Sequence, residues 1–424
     1  MLESGQSVRL SRQAGTTTVG RLLGEGGEGA VFEVELAGTP HALKWYHANR
    51  AYPARRVELA DLIERGRPHA RFLWPIDIAT SGDDPGFGYV MPLRPDGYVG
   101  SADLVSGRAE ASLMSTARIG FELADSFLQI HSRGLCYRDI NFGNVFLHPE
   151  TGAVLVCDND NVGIDGLAGS VLGVPYFMAP EVLREEVLPN RRTDLHSLAV
   201  LLFYVMMAGH PLEGRRADEY QCWDDQTRIS LFGHRPLFVF DPFDRSNALD
   251  PQFQAATIAL WDLYPEFVKR RFVEAFTGGL ADPDARVLES VWRKTMVRLM
   301  SNVCYCGSCS AQNFADGPPR CWACQDTVTQ PPKLLVGDLV VMLNHDTVLR
   351  TYQVDLDYNR DDPYAEMVQN PQRPGVWGLR NLSSTTWHSD HPSGGRRDVA
   401  PGRSIALGAG MTLELGSAVA KVEP

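Results

Sequence analysis

The chain has 424 residues, 44% of them hydrophobic and 22% charged, which excludes an intrinsically disordered or low-complexity protein and allows roughly two to four domains. Its 52 acidic residues outnumber its 40 basic ones and give a net charge of −12, so a broad surface for nucleic acid is not expected. The longest apolar run, residues 198–208, is shorter than the roughly 18 residues of a membrane span, and the start lacks the apolar core of a signal peptide. We expect a cytoplasmic protein that contacts neither membrane nor nucleic acid.

The N-terminal part predicts a small antiparallel sheet. Five segments have the composition of strands: residues 17–23, 30–36, 41–46, 72–80 and 87–93. The first two are separated by a glycine-rich turn, and residues 55–65 have the apolar spacing of a helix. We therefore expect a five-stranded sheet with one helix, followed from about residue 96 by mainly helical structure.

Two longer helices are expected in the part that follows. Residues 113–132 place apolar side chains on one face, and residues 197–209 are apolar all round, which is typical of a buried helix. Residues 334–420 differ, because they form short strand-like pieces separated by Gly, Pro, Asn and Asp. That tail predicts a β-sandwich or barrel.

The glycine-rich turn is a candidate phosphate-binding loop. Gly24, Gly26 and Gly29 lie between two predicted strands, where backbone without Cβ atoms can approach phosphates and offer N–H donors. Glycines are also common in ordinary hairpins, so the loop alone does not decide between the two interpretations. Lys44 follows on a strand with apolar neighbours, and we expect its ammonium group to pair with an acid on the next helix, Glu58 or Glu64.

A second group of polar residues follows the helix at 113–132. Asp139 and Asn144 are spaced so that one can accept a hydroxyl proton and the other can bind a metal ion. The apolar residues 154–157 then end at Asp158, which places a carboxylate at a strand terminus, where it can bind Mg²⁺. We expect Asn144 and Asp158 to share the metal ion.

These residues resemble, in order, the motifs of the eukaryotic-type Ser/Thr protein kinases: glycine loop, strand lysine, helix glutamate, catalytic loop, metal-binding aspartate and the end of the activation segment. The resemblance covers residues 15–300. It continues with Gly173-Val-Pro-Tyr-Phe-Met-Ala-Pro-Glu181, with Asp194-Leu-His-Ser-Leu198 and with Asp282-Pro-Asp-Ala-Arg286. It implies the α+β, bilobal protein-kinase fold and a structural ion pair between Glu181 and Arg286.

The resemblance also implies roles for the site residues. Asp139 would orient and deprotonate a Ser or Thr hydroxyl of a protein substrate, and Asn144 and Asp158 would hold Mg²⁺. Lys44, fixed by Glu58 rather than Glu64, would hold the α- and β-phosphates of ATP. The remaining ATP-binding residues would be the three glycines of the loop, the residues that cover the adenine ring, the gatekeeper and the hinge: Gly24, Gly26, Gly29, Val31, Ala42, Met91 and Leu93.

The chain departs from the family at several positions. Tyr137 stands in place of the catalytic-loop histidine, Asn159 and Asp160 stand in place of Phe and Gly, and Asn141 stands in place of the lysine that neutralises the transferred phosphoryl group. These changes predict slow or unusual turnover. They leave open two alternatives: a nucleotide-binding pseudokinase that acts as a scaffold, and a small-molecule phosphotransferase. Arg138 suggests control by a phosphorylated activation segment, with Ser170 as the candidate phosphosite.

Five of the eight cysteines crowd together after the kinase-like region. Four of them form two Cys-x-x-Cys pairs: Cys306, Cys309, Cys321 and Cys324. This spacing suits tetrahedral Zn²⁺ held between two turns, and four thiolates leave no open position for catalysis, so we expect a structural zinc ribbon. Cys304 is a spare that could replace Cys306 as a ligand.

The tail resembles the second half of a forkhead-associated (FHA) domain in its tryptophan strand, its Asn-Leu-Ser-Ser turn and its final strand pair. The nominal phosphopeptide contacts are Arg380, Asn381, Ser383 and Ser384, although the Gly-Arg and Ser-x-x-His elements of that family are missing. The alternative is a sandwich used only for protein docking.

The order of kinase, zinc module and tail resembles the bacterial kinases of tellurite-resistance-type phosphorylation systems. That resemblance implies two partners, a von Willebrand A-type protein and a PP2C-type phosphatase. The predicted organisation is a kinase N-lobe at residues 1–95, a C-lobe at 96–300, a zinc ribbon at 301–330 and an FHA-like sandwich at 331–424. The predicted function is ATP-dependent phosphorylation of Ser or Thr in bacterial signalling, with ATP, Mg²⁺ and Zn²⁺ as cofactors.

Overall fold

The structure is a computed structural model, and it describes residues 2–13, 15–82, 86–167, 169, 171–355, 357–358, 360–392 and 394–424. The chain forms two compact units, each assembled from separate stretches of sequence. The first consists of Met1–Ala111, Ile119–Ile258 and Arg271–Arg293. The second consists of Ser112–Arg118, Ala259–Arg270 and Lys294–Pro424.

The first unit contains an antiparallel sheet of seven strands. They are β1 (Ser7–Leu10), β2 (Thr16–Thr18), β3 (Leu22–Glu25), β4 (Gly29–Leu36), β5 (Thr39–Tyr46), β6 (Asp77–Thr80) and β7 (Phe87–Pro92). Their order in the sheet is β2-β1-β6-β7-β5-β4-β3. The side chains of β5 alternate between faces, so Leu43 and Trp45 pack into one apolar cluster, while Ala42 and Tyr46 pack into another.

This sheet corrects the prediction of five strands. Strand β1 was missed, and the predicted strand at residues 17–23 is divided between β2 and β3. The predicted strand at residues 72–80 contains only β6, because Pro75 lacks the N–H that a ladder needs. Helix α1 (Pro53–Arg65) agrees with the predicted helix, starting with a proline in its first turn and ending at Gly66, whose φ is 73°.

The part that follows is mainly helical, as the sequence predicts. Its helices are α2 (Ser101–Val105), α3 (Leu113–His131), α4 (Pro180–Leu183), α5 (Arg191–Met207), α6 (Asp225–Arg228), α7 (Ala255–Leu263), α8 (Glu266–Phe276), α9 (Gly278–Ala281) and α10 (Glu289–Ser301). Short strands lie between them: β8 (Val99–Gly100), β9 (Leu135–Cys136), β10 (Val145–Leu147), β11 (Val154–Val156) and β12 (Gly163–Ile164).

Helix α5 forms the buried centre of this part. It begins at a capping box in which the Asn190 side chain accepts from the backbone of Thr193, and nearly all its residues are buried. It therefore starts before the predicted residue 197, because the polar residues of its first turn are buried as well. One of them, Asp194, is 1% exposed.

Strands dominate the second unit. They are β13 (Val303–Tyr305), β14 (Gln312–Phe314), β15 (Lys333–Val336), β16 (Leu339–Met342), β17 (Val348–Arg350), β18 (Pro363–Gln369), β19 (Trp377–Asn381), β20 (Trp387–Asp390), β21 (Arg396–Val399), β22 (Ser404–Ala406), β23 (Thr412–Leu415) and β24 (Ala418–Glu423), with α11 (Thr351–Val354) after β17. Strands β13 and β14 form a hairpin. The rest form a six-stranded sheet, β16-β15-β24-β23-β20-β21, and a four-stranded sheet, β17-β18-β19-β22, whose inner side chains share one apolar core around Trp387.

Candidate active site

The predicted catalytic loop, which carries Asp139, is held by a buried chain of charges. Asp194 accepts hydrogen bonds from the backbone N–H of Tyr137 at 2.5 Å and of Arg138 at 2.9 Å. His131 lies between Asp194 and Glu289 and bonds to both carboxylates. Burial alone would lower the pKa of His131, but these two partners raise it to about 9, so the imidazole is protonated at pH 7. His131 is thus a buried residue in which both ring nitrogens have a partner.

Asp139 is presented by this loop with its carboxylate between asparagine amides. Asn141 Nδ2 donates to its Oδ1 at 2.8 Å, and Asn144 Nδ2 donates to its Oδ2 at 3.0 Å. Asn161 Nδ2 lies 3.4 Å from the same Oδ2. Burial outweighs these donors and raises the pKa of Asp139 to about 6. A carboxylate with this pKa is ionised at neutral pH and is a stronger base than an ordinary aspartate.

Tyr137 connects this loop to the strand that ends at Asp158. It is fully buried, and its hydroxyl donates to the carbonyl of Cys157. Asp158 has left-handed backbone angles, φ 48° and ψ 42°, and its side chain is 37% exposed. Burial and the nearby carboxylates raise the pKa of Asp158, although Lys44 Nζ, at 3.5 Å, opposes them. Asp158 is thus the accessible carboxylate of this turn.

Lys44 lies on β5 and is only 4% exposed. Its Nζ is 3.0 Å from Glu28 Oε2 and 3.1 and 3.2 Å from the two oxygens of Asp160. Burial would lower the pKa of Lys44, but Asp160, Asp158 and Glu28 outweigh it and raise that pKa. The ammonium group therefore stays charged in a site with little water.

The predicted pairing of Lys44 with Glu58 is wrong. Within the described residues, the carboxylates that contact Lys44 are those of Glu28, Asp158 and Asp160. Glu58 and the alternative Glu64 are both exposed. The buried stripe of α1 is formed by Arg55, Leu59, Leu62 and Ile63, at the i, i+4, i+7 and i+8 positions of one helix face. The helix therefore presents an arginine to the site where an acid was expected.

Arg55 contacts the same carboxylates as Lys44. Its Nη2 lies 2.8 Å from Glu28 Oε2 and 2.9 Å from Asp160 Oδ2. Its guanidinium also lies over the ring of Tyr46, 4.5 Å from the centroid. Two cations and the acids around them therefore form one buried network in this part of the cleft.

The residues predicted to enclose the adenine ring lie together. Ala42 and Met91 are buried, and Val31 and Leu93 are partly buried against the same apolar cluster. Ordinary strand packing produces such a cluster as well, so this position alone does not assign a ligand.

The loop glycines differ from one another. A Cβ atom on Gly29 would come within 2.1 Å of the Trp45 carbonyl oxygen, so sheet packing alone requires glycine there. Gly24 and Gly26 have no atom within 4 Å of a Cβ position, so space remains open beside them.

The predicted activation segment contacts Arg138, which itself has a positive φ of 73°. Its Nη2 donates to the carbonyls of Ile164 at 3.2 Å and of Leu167 at 3.0 Å. The guanidinium lies so close to Gly163 and Gly169 that a Cβ atom on either would clash with it. The candidate phosphosite, Ser170, lies outside the described residues.

The end of the segment agrees with the sequence analysis. Arg286 forms a bidentate pair with Glu181, with distances of 2.7 and 2.8 Å, and both residues are buried. The expected structural ion pair is confirmed.

The four predicted zinc ligands lie together in the second unit. The Sγ atoms of Cys306, Cys309, Cys321 and Cys324 are all within 4.8 Å of one another. The Cys306–Cys324 and Cys309–Cys321 pairs are 3.6 Å apart, too far for a disulfide and close to the roughly 3.8 Å that follows from Zn–S bonds of about 2.3 Å in a tetrahedron.

The two halves of this cluster have matching backbones. Cys306 N–H donates to the Ala311 carbonyl, and Ser310 N–H donates back to Cys306, while Cys321 and Gln325 repeat the pattern with Asp326. Asn313 Nδ2 also donates to Cys321 Sγ at 3.5 Å, the kind of contact expected for a thiolate in a zinc site. Cys304 is buried and is not one of the four cysteines whose Sγ atoms converge.

The nominal phosphopeptide residues of the tail are occupied by internal contacts. Asn381 is fully buried and donates to the carbonyls of Thr385 and Val399, while its Oδ1 accepts from Ser383. Arg380 pairs with Glu366 at 2.8 Å. Ser384 is exposed. Asn381 and Ser383 therefore stabilise this turn, and they would have to give up these contacts to bind a phosphopeptide.

Sequence reasoning missed six residues of the cleft: Glu28, Tyr46, Arg55, Tyr89, Asp160 and Asn161. One of them had a usable signal, because Tyr46 is two residues from Lys44 and so shares its face of β5. Tyr89 pairs with Lys44 only in the folded sheet, where β5 lies beside β7. Arg55 and Asp160 had none, because their pairing joins elements far apart in the chain.

Comparisons with known proteins find similarity to protein kinases. The protein kinase domain family matches residues 97–253. The chain is similar to the DNA damage-responsive serine/threonine-protein kinase RqkA of Deinococcus radiodurans, with 28% identity over 268 residues, 58% of this chain and 37% of that protein. It is 29% identical over 129 residues to Protein kinase C-like 1 of Saccharomyces cerevisiae, 29% of this chain and 11% of that protein. It is 32% identical over 127 residues to CBL-interacting protein kinase 4 of Oryza sativa subsp. japonica, 28% of each chain.

Residues 97–253 of the chain are therefore similar to a protein kinase domain. The chain spans between 11% and 37% of the length of these three relatives. Across the residues that the structure describes, we find no helix long and apolar enough to cross a membrane.

Proposed function

We propose that this protein transfers the γ-phosphoryl group of Mg-ATP to a serine or threonine hydroxyl of a protein in bacterial signalling. The observation that carries the proposal is the catalytic loop, in which Asp139 is partly buried, held by Asn141 and Asn144 and ionised at neutral pH. The match to the protein kinase domain, which includes this loop, supports it.

Four cleft residues have a direct role in the transfer. Asp139 binds the substrate hydroxyl and takes its proton as the hydroxyl oxygen bonds to the γ-phosphorus and the bond to the ADP oxygen breaks. Lys44 binds the α- and β-phosphates. Asn144 and Asp158 offer amide and carboxylate oxygens, the donors that Mg²⁺ prefers, and the exposed carboxylate of Asp158 fits this use. A Mg²⁺ ion held by these two residues would neutralise the developing phosphate charge.

Asn141 compensates in part for the missing lysine. It donates to Asp139 and fixes the orientation of the base, but it brings no positive charge to the transferred phosphoryl group. We therefore expect turnover slower than that of kinases with a lysine at this position.

The second unit completes the proposal. The four cysteines hold one structural Zn²⁺, and the two-sheet tail, related to FHA domains, docks proteins rather than a phosphopeptide, because Asn381 and Ser383 are engaged internally. The partners are a von Willebrand A-type protein and a PP2C-type phosphatase. Ser170 is the regulatory phosphosite.

The test is phosphoryl transfer from γ-labelled ATP in the presence of Mg²⁺, followed by mass spectrometry of the labelled sites. Wild-type protein should become labelled or label a supplied partner, and Asp139→Ala should not, while both still bind nucleotide. Asp225→Ala, which removes an exposed aspartate, is the matched control and should keep wild-type labelling. Equal labelling of Asp139→Ala would contradict the assignment. Nucleotide binding without label, with partners supplied, would favour the pseudokinase scaffold.

A further inference from the structure

Asp160 is the most enclosed carboxylate of the cleft, with a side chain only 1% exposed. Its Oδ1 accepts from Lys44 Nζ at 3.1 Å and from the Tyr89 hydroxyl at 2.9 Å. Its Oδ2 accepts from Lys44, from the Tyr46 hydroxyl at 2.7 Å and from Arg55 at 2.9 Å. Both oxygens are therefore saturated with donors, which leaves no lone pair for a metal ion.

The donors around Asp160 include two cations. Lys44 and Arg55 both donate to its carboxylate oxygens, beside the hydroxyls of Tyr46 and Tyr89. Charge-assisted hydrogen bonds in such a dry site are strong and directional.

The donors come from rigid elements. Lys44 and Tyr46 point from one face of β5, and Tyr89 is paired with Lys44 across the neighbouring strand β7. Asp160 itself lies in a short 3₁₀ turn, Asn159–Asn161, directly after Asp158. The lysine is therefore held against the sheet from the side of the metal-binding turn.

Helix α1 does not supply an acid that could hold Lys44. The side chain that α1 brings to Lys44 is a cation, Arg55, and its glutamates at 58 and 64 are exposed. Two buried cations side by side require counter-charge, and the buried acid that contacts both is Asp160.

We propose that Asp160 is the positioning residue that fixes Lys44 for the nucleotide phosphates, in place of a helix glutamate. The inference rests on the proposed function, since it assumes that Lys44 binds those phosphates. Two aspartates in one turn then divide the work: Asp158 faces the cleft for the metal ion, and Asp160 faces inward and holds the lysine.

The experiment measures binding of ADP and of adenosine by calorimetry. Adenosine lacks phosphates, so a variant that only misplaces Lys44 weakens ADP and leaves adenosine unchanged. We expect Asp160→Asn to weaken ADP about tenfold or more and to change adenosine less than about twofold. A general disturbance of the cleft would weaken both ligands alike and would overturn the proposal.

A double-mutant cycle tests whether Asp160 acts through Lys44. Lys44→Met should lose ADP affinity to a similar extent, and adding Asp160→Asn to it should cause little further loss. Additive losses would overturn the proposal. Glu58→Gln tests the competing anchor, and Glu64→Gln on the same helix is its matched control; both should bind ADP like wild type. An ADP-selective loss in Glu58→Gln would also overturn the proposal.

A second variant keeps the test possible if the first one misfolds. If Asp160→Asn does not fold, as judged by circular dichroism, Tyr89→Phe removes one donor to Asp160 and leaves its charge. A smaller ADP-selective loss in that variant supports the proposal, and unchanged ADP binding overturns it.

The wild-type protein could bind ADP through Lys44 and Asp160 as expected and still transfer no phosphate to any supplied protein. That result would contradict the proposed function and leave the role of Asp160 intact.

Discussion

The four-cysteine cluster and the cleft around Lys44 are both built from side chains that can carry charge. They differ in how far apart in the sequence the contributing residues lie. The cluster brings together two short loops with the same backbone hydrogen bonds, residues 306–311 and 321–326. The cleft brings Glu28, Lys44, Arg55 and Asp160 together from a loop, a strand, a helix and a turn. Sequence spacing specifies the first arrangement directly, whereas the second depends on how whole elements pack.

This difference explains which parts of the fold and site could be predicted. The cysteine ligands follow from Cys-x-x-Cys spacing, and the catalytic loop follows from Asp139 and Asn144, because each group is local. The anchor of Lys44 could not be predicted in this way. A helix pattern shows that residues 55, 59, 62 and 63 share a face, but it does not show which face meets the lysine.

The same limit applies to the strands. Alternation predicted β4, β5 and β7 well, because each pairs along its length with neighbours. It missed β1, which pairs with β2 and with the distant β6, and it merged β2 with β3. The hydrogen bonds of Asn381 to Thr385 and Val399 could not be predicted either, because the local sequence resembles a ligand-binding turn.

The largest expected effect tests the local region. A zinc ion held by four thiolates contributes on the order of 10 kcal/mol to the folding of a module with so little core. We expect one Zn²⁺ per chain by mass spectrometry, and Cys309→Ser or chelation should make residues 301–330 exchange amide hydrogens rapidly. Cys222→Ser, at an exposed cysteine outside the cluster, is the control and should keep the zinc. Slow exchange in metal-free protein would show that the module folds from its sequence alone.

The next effect concerns a long-range pair that the sequence did predict. Arg286→Met leaves the buried Glu181 without its partner and should reduce the free energy of unfolding by about 3–5 kcal/mol in urea denaturation. Arg192→Met removes an exposed pair with Asp284 and should change it by less than about 1 kcal/mol. Similar losses in the two variants would mean that burial does not determine the strength of this pair.

A smaller effect is expected from pH. Protonation of Asp139 removes the base, so the turnover rate should fall about tenfold for each pH unit below the pKa of about 6 and level off above it. Titration of Asp139 does not itself unfold the protein, because a raised pKa means that the folded state takes up this proton more readily than the unfolded state. The check is a rate profile from pH 5 to 8 with circular dichroism at each point. A flat profile would remove Asp139 from the rate-limiting step.

The smallest effect tests whether the glycine loop competes with the nucleotide. Glu28 Oε2 lies 3.0 Å from Lys44 Nζ and 2.8 Å from Arg55 Nη2, so one carboxylate oxygen occupies the position between the two cations where a phosphate oxygen would be attracted. Replacing the Glu28 carboxylate by a neutral amide weakens its attraction to Lys44 and Arg55, while both cations remain available to a phosphate. We expect Glu28→Gln to bind ADP about fivefold more tightly, which corresponds to about 1 kcal/mol.

The control for this variant is Glu25→Gln in the same loop. Glu25 is half exposed and lies 4.0 Å from His47, away from Lys44, so its replacement should leave ADP affinity unchanged. Weaker ADP binding in Glu28→Gln would mean that the carboxylate helps to arrange the cations rather than competing for them. The anchoring of Lys44 would then be shared between Glu28 and Asp160, and the cleft would depend on the loop as well as on the metal-binding turn.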